Sequence, residues 1–383
     1  MANLLDYLDW RGDLTLEQSP FNEVDNLILA ELSFVDFKDI VPGPGEGESV
    51  VLRDAAERFF ARFPEGEKID MGVLVPAAIP DMLRKMADSR RFGDMKLNCF
   101  VDHLDVGKGE QFAALTIETG DRTLYLSFRG TDDTIAGWKE DFLLACQPVI
   151  PAQKRALEYA RAVARQYPRK KLMLGGHSKG GNLAVYAASK ISPALQKRIL
   201  EVYNQDGPGF SEPMLEDPGY LAILPKIRTY VPQSSVIGMI MYRQEPITIV
   251  KSTQIGIMQH DSFSWELMGK AFVTMDALTG DARFLQLMIE NWLAGMDHES
   301  KVRMVNMLFE LLSSGDVELA PDIFLPRNMK NYIRAIRDSE VTRRYLTEDL
   351  AGLYRAAKKA RLQMEEITES LRPEDTGNHE YLH

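Results

Sequence analysis

The sequence predicts an α/β fold, a mixed sheet with flanking helices, followed by a C-terminal all-helical region. Three observations carry this expectation. Segments 95–102, 111–118 and 122–128 alternate with period two, as half-buried strands do. Beyond them, short apolar runs alternate with helix-spaced segments, the pattern of a sheet covered by crossover helices. From Trp265 onward strand signals vanish and helical spacing continues to residue 371.

Taken in order, the first forty residues are acidic and only partly periodic; Leu27, Ile28, Leu29, Leu32 and Phe34 predict a helix that docks on something larger. Residues 41–49 (VPGPGEGES) form a loop. Residues 50–63 and 77–90 carry helical spacing. Gly120-Asp121 turns the second strand into the third, and 136–147 and 150–166 read as helices. Residues 171–175 (KLMLG) lack a polar face, as a buried parallel strand does. A helix at 179–190 and apolar runs at 199–203 and 227–231 complete the sheet. The later helices break near Gly280, Gly315 and Pro326. The expected division is a core over 1–270 with an N-terminal helical extension, a helical appendage over 271–371 and a flexible tail over 372–383.

Composition narrows the function. The 383 residues are 45% hydrophobic and 26% charged, with a net charge of −11. Nucleic-acid binders are usually basic, and an anionic membrane surface repels such a chain. Two cysteines, Cys99 and Cys146, make neither a disulfide framework nor a metal-type spacing. Asp6, Asp9 and Asp13 stand where a signal peptide needs an apolar run. No stretch approaches the ~20 apolar residues of a membrane span. The expectation is a soluble, cytoplasmic protein.

Chemistry enters at residues 176–180, Gly176-His177-Ser178-Lys179-Gly180, a G-x-S-x-G turn between an apolar strand and a helix. A sharp, strained turn lifts a serine hydroxyl above the sheet, and the glycines let strand and helix pack closely around it. At a helix N-terminus, backbone N–H groups and the dipole favour a developing oxyanion. The competing reading is a packing turn or a phosphate loop, which would call for Gly-Lys-Ser/Thr instead.

Phe128-Arg129-Gly130-Thr131-Asp132 ends a predicted strand. FRGT, followed by Trp138 and Asp141 and then GHSKGG, resembles the class 3 lipase-like branch of the α/β-hydrolases. Within that branch it is most similar to a bacterial family of unknown function, in which NLLDYLxWRGD and QHDSFSW also occur. The resemblance spans roughly residues 1–270 and implies an α/β-hydrolase-like mixed sheet. It assigns half of an oxyanion hole to Thr131, through its N–H and hydroxyl, and the other half to the N–H of Lys179.

Of six histidines, His379 and His383 lie in the tail, His298 in a helix of the appendage, and His103 precedes the serine. His177 is expected to point away from the Ser178 side chain by alternation. His260, in a loop between the last strand and a helix, matches the resembled family's histidine. The acid has two candidates. The resembled lipases keep an aspartate where this chain has Val231-Pro232-Gln233-Ser234-Ser235-Val236, so Ser235 stands near that place without a carboxylate. Asp206 ends the strand after the nucleophile's helix, and Ser178…Asp206…His260 follows the hydrolase order; its competing role is to cap the Asp206-Gly207-Pro208-Gly209 turn. Asp261 is expected to point the wrong way. Lys179 puts a cation at a helix N-terminus, disfavoured by ~0.3–1 kcal/mol; it is expected to pair with a carboxylate such as Asp132 or Asp133, the alternative being attraction of an anionic acyl group. The apolar run 236–242 is core or the lining of an acyl pocket.

These readings converge on a serine hydrolase of carboxylic or lipid acyl esters, with Ser178 as nucleophile, His260 as base and Asp206 as orienting acid. No metal or cofactor is called for. The alternatives are a thioesterase or acyltransferase, and a non-catalytic interaction protein on a hydrolase scaffold. The expected partner is a small-molecule or lipid ester substrate, with no nucleic acid and no stable membrane insertion. Apolar stripes in the late helices (Phe284, Leu285, Leu287, Met288; Met304, Met307, Leu308, Leu311) need burial against the core or in a homo-oligomer.

Overall fold

Asn3 and Asn22 start the first two helices of the computed structural model, which describes residues 1–64, 66–72, 75–105, 110–120, 122–132, 140, 143–144, 147–313 and 326–370. Each asparagine caps its own helix reciprocally. Asn3 Oδ1 accepts from Leu5 N while Asn3 N donates to Asp6; Asn22 Oδ1 accepts from Val24 N while Asn22 N donates to Asp25. Such boxes satisfy N–H groups that a helix start leaves unpaired. They open helices Leu4–Arg11 and Glu23–Glu31. Two amphipathic helices follow, Leu52–Phe60 and Ile79–Asp88, burying Leu52, Ala55, Ala56, Phe59 and Ile79, Met82, Leu83, Met86.

The strands are β1 (Val50–Val51), β2 (Lys96–Asp105), β3 (Glu110–Gly120), β4 (Thr123–Phe128), β5 (Lys171–His177), β6 (Ile199–Gln205), β7 (Ile227–Pro232), β8 (Ile247–Val250), β9 (Leu267–Met268), β10 (Ala271–Phe272) and β11 (Thr274–Met275). One nine-stranded sheet has the order β1-β2-β3-β4-β5-β6-β7-β8-β11, and β9 and β10 form a separate hairpin. Strands β4 to β8 are mutually parallel, and the pairings toward either edge are antiparallel.

That sequential order has a consequence. Right-handed crossovers that always step in one direction put their helices on one face. Helices Pro151–Gln166, Lys179–Lys190 and Pro218–Ile223 share a core with Leu124, Leu126, Phe128, Leu172, Leu174 and Val202. Alternation sends Tyr125, Met173, Tyr203 and Tyr230 to the opposite face. There the N-terminal helices cover them, with Leu27, Ile28 and Leu29 fully buried. Asn26 Oδ1 takes the Tyr125 hydroxyl at 2.5 Å, and Leu29 O takes the Ser127 hydroxyl at 2.7 Å. The docking helix read from Leu27 to Phe34 is therefore one half of the sheet's cover.

The sequence reading ends the sheet at 227–231, and the structure extends it. Strand β8 has four residues and β9, β10 and β11 two each, too short for a period to show. Strand pairing thus continues past Trp265, and His260 is followed by 3-10 turns and these short strands rather than by a helix. Gly280 opens helix Gly280–Ala294 behind the Thr279 cap instead of breaking one. Helices His298–Ser313, Pro326–Asp338 and Glu340–Ser370 complete the described chain, and Asn291 bonds Gln363 at 2.7 Å. Leu287 is buried as expected, but the next helix buries Val305 and Phe309 while Met304 and Met307 stay half-buried. Most of the helix expected over 136–147, with Asp133, Trp138, Asp141 and Cys146, lies outside the described residues, as do Gly315 and the tail with His379 and His383. Among the described residues, no helix is long and apolar enough to cross a membrane.

Deep in the N-terminal cover, Asp25 takes Arg91 Nε at 2.6 Å and the Tyr7 hydroxyl at 2.8 Å, and the side chains of the Asp25–Arg91 pair are fully buried. Removing one partner strands a buried charge. Asp25→Ala is expected to lower unfolding stability by about 3–5 kcal/mol in urea titrations; a loss below about 1 kcal/mol would show that the pair does not hold the cover in place.

Candidate active site

Register brings the site together. In parallel pairing, Phe128 of β4 faces Gly176 of β5, and His177 of β5 faces Gln205 of β6. The residues just past those strand ends, Gly130-Thr131, Ser178 and Asp206, therefore emerge side by side at the carboxyl edge of the sheet. Open parallel sheets place their ligands at this edge.

Ser178 sits between β5 and helix Lys179–Lys190 with φ 57° and ψ −132°. A non-glycine residue there stores ~1–3 kcal/mol of strain. Close packing sustains the turn. A Cβ on Gly180 would lie 2.0 Å from Phe128 O, and one on Gly176 would lie 2.4 Å from the same oxygen. A Cβ on Gly130 would fall 3.1 Å from Ser178 Cβ, so Thr131 is one residue past a direct contact with the serine. Arg129 anchors this strand end through two 2.9 Å bonds to Asp102 and through its N–H to Ala113 O.

His260 Nδ1 lies 2.6 Å from Asp206 Oδ2. Asp206 is buried, and its other oxygen accepts the Ser235 hydroxyl at 2.5 Å. Ser235 Oγ accepts in turn from Gly238 N at 3.0 Å. The two acid candidates thus occupy one hydrogen-bonded row, with Asp206 on the histidine and Ser235 behind Asp206.

The polar residues around His260 hold its loop. Gln259 Oε1 accepts from Ser234 N at 2.8 Å, and Gln259 O accepts from the Trp265 indole at 2.9 Å. Asp261 turns away as expected and caps Phe263 N at 3.0 Å. The Ser264 hydroxyl donates to Asp261 O and pairs with Ser252 at 2.7 Å. Sequence reading gave Gln259 and Trp265 no such role; their place beside the histidine was the available signal.

Two neighbours refine the expectations. Lys179 meets a buried carboxylate, as expected, and it is Glu140: Lys179 Nζ lies 3.0 Å from Glu140 Oε2, both side chains being buried; Asp133 lies outside the described residues. Asp132 faces Arg129. His177 does point away from the serine, toward helix Glu23–Glu31, yet its ring lies 4.6 Å from the His260 ring. Glu31 Oε1 is 3.2 Å from His177 Nδ1, an acid beneath the site that sequence reading missed. Burial and the adjacent His260 hold the His177 imidazole well below its ordinary range. Burial, with the charge of Asp261 adding to it, pushes the Glu31 carboxyl up to about 8. The run 236–242 buries Gly238 and Met239 and exposes Tyr242. Among the described residues, no group of three or more His, Cys, Asp or Glu side chains is placed to hold a metal.

A mixed sheet with a parallel centre, and a strand–serine–helix elbow at its carboxyl edge, define an α/β hydrolase fold. Residues 86–310 match the model of the Mbeg1-like family, and the chain belongs to that family. No curated relative matches it. Among solved structures it is similar to the Rhizomucor miehei lipase propeptide complex, at 18% identity over 47% of this chain and 70% of that one, with a TM-score of 0.34. It is also similar to M37 lipase (11%; 55% and 68%; 0.36) and to Lip2 lipase from Yarrowia lipolytica (10%; 56% and 84%; 0.32). At these scores the likeness bears no weight on the chemistry of the site.

The buried acid gives a pH test. Glu31 keeps its proton in the folded chain up to about pH 8, whereas its ordinary value is 4.5. Its contribution to stability is therefore full below about pH 4.5 and lost as pH rises through about 8. Glu31→Gln cannot ionise, so its melting temperature relative to wild type should climb across that window and then level off. A difference that does not vary with pH would mean that Glu31 is not protonated in the fold.

Proposed function

We propose that this chain is a lipase-like serine hydrolase that cleaves carboxylic or lipid acyl esters, with residues 1–270 as its catalytic part and 271–371 as a helical appendage. The observation that carries this reading is the 2.6 Å contact between His260 Nδ1 and the buried Asp206, made beside the strand end that presents Ser178 in its strained turn. With Nδ1–H donated to the carboxylate, His260 keeps Nε2 for the serine proton. Ser178 Oγ would attack the ester carbonyl carbon as His260 takes its proton. The tetrahedral oxyanion would rest on the N–H groups of Thr131 and Lys179. Collapse breaks the bond to the alcohol oxygen, which leaves with the proton from His260. Water then attacks the acyl-serine by the same steps and releases the acid. Nothing in this sequence requires a metal or cofactor.

Covalent labelling tests the nucleophile. A fluorophosphonate probe should label wild type at Ser178, and Ser178→Ala should lose labelling and lower ester hydrolysis by several orders of magnitude. Full activity in Ser178→Ala would eliminate the mechanism. The acid is tested separately. Asp206→Asn should cut kcat by up to about 10⁴-fold with little change in KM, because the amide favours the wrong histidine tautomer. Ser235→Ala removes one hydrogen bond to the acid and should cost only about 3–10-fold. If Ser235→Ala were the more damaging of the two, Asp206 would not be the orienting acid.

A further inference from the structure

The pair Lys179–Glu140 is buried, yet it lies outside the reaction just described. Its side chains are 1% and 0% exposed. Glu140 Oε2 takes Lys179 Nζ at 3.0 Å and Gln111 N at 3.4 Å, and Oε1 takes Ala152 N at 2.9 Å. Lys179 Nζ also donates to Gln111 O at 3.4 Å and Gln111 Oε1 at 3.3 Å. Four segments therefore meet at one ion pair: the helix that begins after Ser178, the start of β3, the first turn of helix Pro151–Gln166, and the stretch that carries Glu140.

A buried ion pair is weak evidence for stability, since desolvating both charges offsets most of their attraction. This lysine also stands at a helix N-terminus, where a cation is unfavourable. Its position suggests a different use. The peptide N–H of Lys179 is one of the two donors assigned to the oxyanion. Glu140 follows Thr131, the source of the other donor, on the same connection between β4 and helix Pro151–Gln166.

We propose that the Lys179–Glu140 pair is a clip that holds the two oxyanion donors in register, making Glu140 and the Lys179 side chain positioning residues for acyl transfer. The inference rests on the hydrolase reading above. The clip ties Lys179, which carries the second N–H, to Gln111 at the start of β3, and β3 in turn holds the strand end just before Thr131, where Arg129 N donates to Ala113 O. Donors must lie within a few tenths of an ångström of the developing charge, and a misplacement of about 1 Å costs about 10²-fold.

The test separates positioning from folding. Lys179→Met/Glu140→Gln removes both charges of the pair at similar volume, so neither is left facing an emptied partner site. It is expected to melt cooperatively near wild type, while kcat on a short-chain p-nitrophenyl ester falls roughly 10–100-fold and KM changes less than about threefold. The rate of fluorophosphonate labelling should fall in parallel. A folded double variant with kcat within about twofold of wild type would overturn the clip and leave a structural ion pair. Glu140→Asp asks the same question with the charge retained, should the double variant fail to fold. Retracting the carboxylate by one methylene should lower kcat about 10-fold at unchanged KM, and wild-type kcat would again overturn the proposal. The two readings fail differently. A wild-type chain that is never labelled at Ser178 defeats the hydrolase itself, whereas a labelled wild type with unaffected variants defeats only the clip.

Discussion

The site depends on a contact between two backbones. Helix Lys179–Lys190 starts so close to the end of β4 that a single methyl group on Gly180 would lie 2.0 Å from Phe128 O. That approach forces the chain to turn within one residue. Ser178 absorbs the turn at positive φ, and its hydroxyl is carried to the sheet edge rather than into a helix face. The same approach lays Gly130 against Ser178 and so fixes where Thr131 begins. A bulkier residue at 176 or 180 would move Ser178 and the neighbouring peptide N–H groups of Thr131 and Lys179 together.

Sheet order explains the rest of the architecture. Strands β4 to β8 step in one direction, so their crossover helices accumulate on one face and leave the other bare. The N-terminal helices supply the missing layer. This cover brings chemistry with it, because helix Glu23–Glu31 ends with a buried carboxyl beside His177, and His177 lies against His260. A neutral pair there leaves Asp206 as the charge in direct contact with the histidine. An ionised Glu31 would add a second negative charge close by.

Two neighbouring strand ends contribute to one hydrogen-bonded row at His260. Asp206 follows β6 and Ser235 follows β7, and both reach the same point above the sheet. The hydroxyl of Ser235 occupies the carboxylate oxygen that faces away from His260 and is itself held by Gly238 N–H. A carboxylate so fixed has one oxygen left for imidazole, which selects the Nδ1–H tautomer.

Elements whose signal is local could be read from the residues alone. The elbow at Ser178 was legible because an apolar strand, two glycines and a helix stand in one continuous run. Strands β2 to β4 were legible from period two, β5 to β7 as apolar runs, and helices Pro151–Gln166 and Lys179–Lys190 from helical spacing; helix Pro218–Ile223 was not read, nor were β8 to β11, since two to four residues cannot display a period. His260 could be singled out because the other histidines stood in helices, in the tail or before the serine. Tertiary structure alone decided the pairings between residues remote in sequence. Asp206 and Ser235 were rivals in the sequence because either could reach the histidine, and the fold made them successive members of one row. Lys179 was expected to meet a carboxylate from the segment after β4, but which one was set by packing, and the fold places Glu140 against it. Glu31 carried no signal at all: a glutamate at the end of a helix reads as a solvated residue until a sheet is seen to cover it.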